Sequence, residues 1–306
     1  MNLDRREFLG CTLGGALLGT LPSRTLLAAD QIARKPKPSM NSWFDRTIPF
    51  PEVIAMIRDV GFETVSIAYP EYCHFDTPQG LKAIEQLLQK HDLMADWIHA
   101  PFPQGDQLFS LDESVRQKSI RQCKNALDAA NVLGVSAITV HLIQPYGIPH
   151  GEERDQMIVQ GMESIKVLEE YAAGKKVRIG LENGQKKDYD EVLMKCLDHF
   201  TSDTIGLTYD SGHENVKSPG KFDILEKYAS RLYVLHLHDN PGRDLHQLPY
   251  EGTINWDRFA EVIRRNQSYT GTLGLEVHVK NSRFKGDSQL FLVEAKERID
   301  RIYQSI

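Results

Sequence analysis

The chain has 306 residues, 41% of them apolar and 25% charged, with a formal charge of −6. That is material for one large core, and it excludes the disordered and fibrous classes. An acidic chain also has little to offer a phosphate backbone, so nucleic acid is not an expected partner.

The chain opens with Asp4-Arg5-Arg6-Glu7-Phe8-Leu9-Gly10, a Gly-rich apolar run, and then Leu27-Ala28-Ala29. Residues 1–29 therefore look like a twin-arginine signal peptide with a small-residue cleavage site. The apolar run is shorter than the roughly 20 residues that span a bilayer, so no stable membrane association is expected after cleavage. The expected partner at this stage is the twin-arginine export machinery, and the expected location is periplasmic or otherwise exported. Cleavage removes Arg5, Arg6 and Arg24 against Asp4 and Glu7, leaving the remainder more acidic still. Cys11 leaves with the leader, and Cys73, Cys123 and Cys196 are too scattered to imply a disulfide framework.

Residues 30–39 are polar and Pro-containing and read as a flexible tether. From there apolar strands alternate with amphipathic helices. The strands are expected at 40–43, 64–69, 94–99, 137–142, 177–182, 205–210, 232–238 and 271–277. A representative helical stripe is Met157, Gly161, Ile165, Leu168 and Ala172, whose spacing keeps one face apolar. Eight such units without a second block of different composition predict an α/β fold, a single-domain (β/α)8 TIM barrel over 40–306, in preference to an open doubly wound sheet. No G-x-G-x-x-G or P-loop pattern follows a strand, so the phosphate cradle of a dinucleotide or nucleotide site is missing.

Four of the apolar runs end in chemistry: Glu182 in VRIGLEN, Asp210 in IGLTYDSGH, His236 in LYVLHLHD and Glu276 in GTLGLEVH. Side chains alternate along a strand, so His236 and His238 point to the barrel axis when Leu235 and Leu237 face the helices. The same parity turns Glu182, Asp210, Glu276, His99 and His141 inward. Barrel sites are built at the C-terminal strand ends, so these residues meet over one mouth. Oxygen and imidazole donors gathered there suit a divalent cation, without which their burial would be costly.

Further marks are LEN at 181–183, YDSGH at 209–213, HLHD at 236–239, the stretch from Asp244 and His246 to Gly252-Thr253-Ile254-Asn255-Trp256, and LEVH at 275–278. On these, residues 40–300 resemble the xylose isomerase-like barrels, which include sugar isomerases and epimerases and, more distantly, endonuclease IV. The resemblance implies one divalent metal ion (Mn, Mg, Co or Zn) on Glu182, Asp210, His236 and Glu276. Glu182 and Glu276 are then the acid/base pair, one on each face of a small carbohydrate substrate. His213 matches a position that touches substrate oxygens. Asp188 matches a substrate-binding carboxylate and equally suits a helix N-cap at the start of 188–200. Arg243 could meet an anionic or hydroxyl-rich substrate. Such barrels often form homodimers.

A cation that polarises a sugar carbonyl lets one glutamate remove the adjacent proton through an enediolate. Its return gives epimerisation or isomerisation, and loss of a β-leaving group gives a lyase or hydrolase acting on 3-keto-glycosides. Endonuclease IV binds three Zn ions, and His99, His141, His213, Asp244 and His246, beside the first four ligands, supply a counterpart for each ligand. In sugar-acting relatives the same histidines contact substrate. A non-catalytic sugar-binding barrel is a further alternative. Trp43, Trp97, Phe102 and Trp256 lie near strand ends, where they could stack on a sugar or simply cover the barrel mouth.

Overall fold

The computed structural model describes residues 35–102, 105–144 and 146–306; the expected leader lies outside them. Eight strands form, β1 Pro38–Asn41, β2 Thr64–Ile67, β3 Met94–His99, β4 Ala137–Val140, β5 Arg178–Glu182, β6 Ile205–Asp210, β7 Leu232–His236 and β8 Leu273–Gly274. All pairings are parallel, in the order β7-β6-β5-β4-β3-β2-β1-β8. A doubly wound sheet would reverse its order partway. Here the order never reverses, β1 pairs with β8, and β7 meets β8 through Leu237 N–H to Gly274 O (2.8 Å) and Glu276 N–H to Leu237 O (3.0 Å). The result is a nearly closed (β/α)8 barrel.

One boundary moves. β1 begins at Pro38, so the last residues of the span expected to be tether are barrel, with Ser39 paired to Thr64 and Gly274.

The strand parity holds along the barrel. Ile138, Val140, Ile179, Leu181, Leu207, Tyr209, Leu235 and Leu237 face outward into the main apolar core with the helices. Met157, Gly161, Ile165, Leu168 and Ala172 form the buried face of helix Glu152–Ala173. Inside the barrel a small cluster of Trp43, Ala68, Trp97, Ala137 and Val234 forms the floor. Above it Thr139 Oγ1 contacts Thr208 Oγ1 (3.1 Å) and His236 Nε2 (3.2 Å). Gly180 is required beside this layer, since a Cβ there would lie 2.1 Å from Thr208 Oγ1. Cys73, Cys123 and Cys196 are free and buried, and burial pushes the Cys73 and Cys196 thiols up to about 12, far from a reactive thiolate. Among the described residues no helix is long and apolar enough to cross a membrane.

Candidate metal centre and active site

The C-terminal ends of β5, β6 and β7 and the segment after β8 bring Glu182, Asp210, His236 and Glu276 together, all buried, with ligand atoms within 4.8 Å of one another. His236 is the hub. Its Nδ1 lies 3.1 Å from Glu182 Oε1, 2.9 Å from Glu276 Oε2 and 4.0 Å from Asp210 Oδ2, and its ring stacks on Trp97 at 4.2 Å. Burial alone would raise both glutamate pKa values. The imidazoles of His236 and His141 overcome that for Glu182, and His236 and His246 for Glu276, so both carboxyls stay well below the ordinary range. Conversely, Glu276 and Glu182 push the buried His236 up to about 10. Three buried carboxylates around one imidazole have the charge imbalance that a divalent cation corrects, and the oxygen and nitrogen donors fit one.

Two further groups adjoin it. His99, His141 and Glu182 form one: His141 Nε2 is 2.7 Å and His99 Nε2 3.5 Å from Glu182 Oε2. His213, His238, Asp244 and His246 form the other. There His213 and His246 approach Asp244 at 3.7 and 3.4 Å, and His238 reaches Asp210 at 3.0 Å and Asp244 at 3.7 Å. The His238 ring stacks on His246 at 4.0 Å and fits only because residue 212 is glycine, whose Cβ would stand 1.9 Å from that ring. Tyr146 Oη bridges the groups, 3.3 Å from His141 Nε2 and 3.5 Å from His213 Nε2. Asp244 counters its own burial through His246 and His213, which hold its carboxyl far below the usual range.

Glu182, Glu276, His99, His141, His213, Asp244 and His246 line a pocket of about 410 Å³, within the range of small-molecule sites. Trp43, Tyr69, Phe102 and Tyr146 supply aromatic wall, while Gln144, Gln185, Arg46 and Lys280 supply polar rim. Of the aromatics expected near the strand ends, Trp43 and Phe102 line the pocket. Trp97 lies under His236, and Trp256 donates its indole N–H to Asp239 at 2.9 Å and packs at a helix start.

Two expected substrate contacts stand elsewhere. Asp188 is in the first turn of helix Lys187–His199, partly exposed, 3.4 Å from His150; the N-cap position itself is Lys186. Arg243 is exposed and does not line the pocket. The helix carries Asp188 outward because it begins only after the turn that follows Glu182, and spacing in sequence does not reveal that direction.

Sequence reasoning assigned no role to His238, although strand parity already pointed it inward. It also missed Asp106, which is fully buried with Oδ2 3.1 Å from His141 Nδ1. Asp106 lies on an irregular stretch with no periodicity to expose it.

The fold is shared with solved structures. A D-tagatose 3-epimerase-like protein superimposes with a TM-score of 0.71 at 22% identity, over 87% of this chain and 96% of that one. The 3-keto-D-glucoside 4-epimerase YcjR from E. coli gives 0.68 at 16%, over 87% and 99%. The IOLI protein with a bound zinc atom gives 0.72 at 16%, over 88% and 98%. Among sequence relatives, the uncharacterized protein MJ1311 of Methanocaldococcus jannaschii is 28% identical over 75% of this chain and 79% of its own length. The uncharacterized protein y4fM of Sinorhizobium fredii is 29% identical over 48% of this chain, and the match spans about half of that relative, 49%. The sequence profile of the xylose isomerase-like TIM barrels matches residues 54–299, and the chain belongs to that family.

Proposed function

We propose that the protein is a divalent-metal-dependent sugar isomerase or epimerase that works by abstracting the proton next to a carbonyl. The observation that carries this reading is the pair of buried, ionised carboxylates of Glu182 and Glu276, both against His236 Nδ1 at the base of a sugar-sized pocket. The likeness to sugar epimerases supports it.

A divalent cation on Glu182, Asp210, His236 and Glu276 would supply positive charge to the carbonyl oxygen and its neighbouring hydroxyl. One glutamate takes the proton from the carbon that bears this hydroxyl, next to the carbonyl, and the other returns it. Return to the opposite face of the same carbon gives an epimer, and return to the next carbon gives the aldose–ketose isomer. His99, His141, Tyr146, His213 and His246 orient the hydroxyls, and Trp43, Tyr69 and Phe102 keep water from the exposed carbanion. If the enediolate instead expels a β-substituent, the same residues act as a lyase on 3-keto-glycosides.

The test is solvent deuterium incorporation into ketoses and 3-keto-glycosides by protein purified without added metal. Exchange that disappears in Glu182→Gln and Glu276→Gln, with the fold intact, supports the reading. A metal-loaded protein that exchanges none of these carbons sinks it, and sugar binding without exchange would leave a non-catalytic binding barrel.

One observation favours a second reading. The three donor groups share or adjoin the same carboxylates, Glu182 in two of them and Asp210 beside His238. That arrangement suits an endonuclease IV-like phosphoesterase with three zinc ions, which elemental analysis separates from the first reading by the number of metal ions per chain.

We also infer export through the twin-arginine pathway from Arg5 and Arg6 and the apolar run behind them. Replacing both arginines with lysine should trap the chain in the cytoplasm, and unchanged periplasmic yield would refute it.

A further inference from the structure

We propose that the substrate carries an anionic group, a carboxylate or a phosphate, seated between Arg46 and Lys280 on the β1/β8 side of the pocket. The inference deepens the sugar-isomerase reading and rests on it only for the identity of the sugar. Among the described residues Arg46 and Lys280 are the only lysine or arginine side chains that line the pocket, in a chain of net charge −6. They come from neighbouring loops, Arg46 from the segment after β1 and Lys280 from the 3-10 turn Val279–Asn281 after β8.

Those loops are stitched together. Val279 N–H donates to Phe44 O (3.1 Å), while Asn41 both donates to Val277 O (3.1 Å) and accepts from Val277 N–H (3.1 Å). Each loop is also shaped locally: Thr47 N–H closes a turn on Asp45 Oδ1 (3.1 Å), and Asn281 donates to Leu245 O (2.7 Å). The two cations are therefore carried on one rigid ledge.

Among the described residues neither is held in a buried ion pair. The Arg46 guanidinium lies 4.1 Å over the Tyr69 ring, which fixes its plane; one edge N–H donates to Glu71 Oε1 and the others are left for a planar oxyanion. Its one ion pair, to Glu71 at 3.4 Å, joins two side chains about half exposed, an arrangement that contributes little. Lys280 is exposed and makes no ion pair among the described residues. His278 also lines the pocket and offers a ring nitrogen to a substrate oxygen.

The pocket thus has two ends. The acidic floor suits a cation and the reacting carbons, and the basic ledge suits the far end of the sugar. A neutral sugar would leave Lys280 without a charged partner and Arg46 with only the exposed Glu71. Arg243, which the sequence offered for this role, is exposed and does not line the pocket.

The test is calorimetric titration of the metal-loaded full chain with D-fructose, D-fructuronate and D-fructose 6-phosphate. The anionic sugars should bind about tenfold or more tightly than fructose, as expected for charge-assisted hydrogen bonds. Which of the two binds better tells carboxylate from phosphate. Arg46→Gln and Lys280→Gln should each erode the preference and together abolish it. Arg243→Gln serves as the control and should preserve it. Equal or undetectable binding of the anionic and neutral sugars, or a preference that survives the double variant, overturns the proposal. Deuterium exchange in the same sugars separates the two readings. A charge preference without exchange leaves the ledge standing and removes the isomerase, and exchange without a charge preference does the reverse.

Discussion

Asp106 Oδ2 lies 3.1 Å from Nδ1 of His141, whose other nitrogen lies 2.7 Å from Glu182 Oε2, so one imidazole joins a fully buried loop carboxylate to the proposed catalytic one. Burial disfavours charge on His141, yet Asp106 and Glu182 together raise it well above its ordinary pKa. Asp106 therefore fixes both the proton on Nδ1 and the plane of the ring. Asp106→Ala should cut turnover and metal affinity by about 10–100-fold, the usual cost of losing a group that orients a ligand. Asp106→Asn keeps an acceptor and should lose less. Steady-state kinetics with elemental analysis check this; equal rates and metal content in Asp106→Ala would show that the contact is idle.

Metal removal should soften the protein. A chelator that strips a cation from Glu182, Asp210, His236 and Glu276 leaves three carboxylates facing one another, and restoring the ion at 100 times its Kd should return about 2.7 kcal/mol. Thermal unfolding with and without Mn²⁺ or Zn²⁺ measures this as a rise of several degrees. Glu182→Gln/Glu276→Gln should show no such rise.

The barrel's far end makes a separate prediction. Burial raises Asp96 to about 6 from its ordinary 3.8, even though it accepts from Trp97 N–H (2.8 Å) and Thr272 Oγ1 (2.7 Å). The folded state therefore binds this proton more tightly than the unfolded chain. The contribution to stability is complete below pH 3.8 and is lost as pH rises through about 6. Asp96→Asn should gain on the parent between pH 4 and pH 8 by on the order of 1–2 kcal/mol. Urea midpoints at the two pH values test it, and a constant difference would exclude the titration.

Lys217 and Asp190 form a buried pair (2.7 Å) that clamps the turn after Glu182 to the helix bearing His213: Lys217 also donates to Gly184 O at 2.8 Å, and Asp190 accepts from Gly184 N–H at 2.9 Å. Asp190→Ala strands the ammonium and should cost about 3–5 kcal/mol. The Asp190→Ala/Lys217→Met double variant should cost less than the sum of the singles, which a double-mutant cycle in denaturant will read out.

Strand parity was enough to find the strand-end groups. It turned Glu182, Asp210, His236, His238 and Glu276 inward, although nothing in the pattern gave His238 a role. What it lacked was direction beyond the strands. Arg46, Asp106 and Lys280 lie on irregular segments whose path depends on long-range hydrogen bonds, and Asp188 shows that a short turn suffices to carry a residue out of the site. Several strands end short of the expected positions, and two of them show why. β8 stops at Gly274, and beyond it Val277 N–H takes the side chain of Asn41 as its acceptor. After β2, Tyr69 turns into the left-handed region (φ 58°) and starts the short helix Pro70–Cys73.

The seam between β1 and β8 also sets the order of events in the life of the chain. Asn41 and Val277 bond across 236 positions, and Glu276, one of the two proposed proton-transfer residues, lies beside that seam. During synthesis β1 emerges among the first barrel segments and waits with an unpaired edge until nearly everything else has left the ribosome. The barrel closes and the centre gains its last carboxylate in the same late step. Truncation before β8 would thus remove Glu276 from the proposed proton-transfer pair and leave an adhesive β1 edge, making such fragments candidates for aggregation rather than for partial activity.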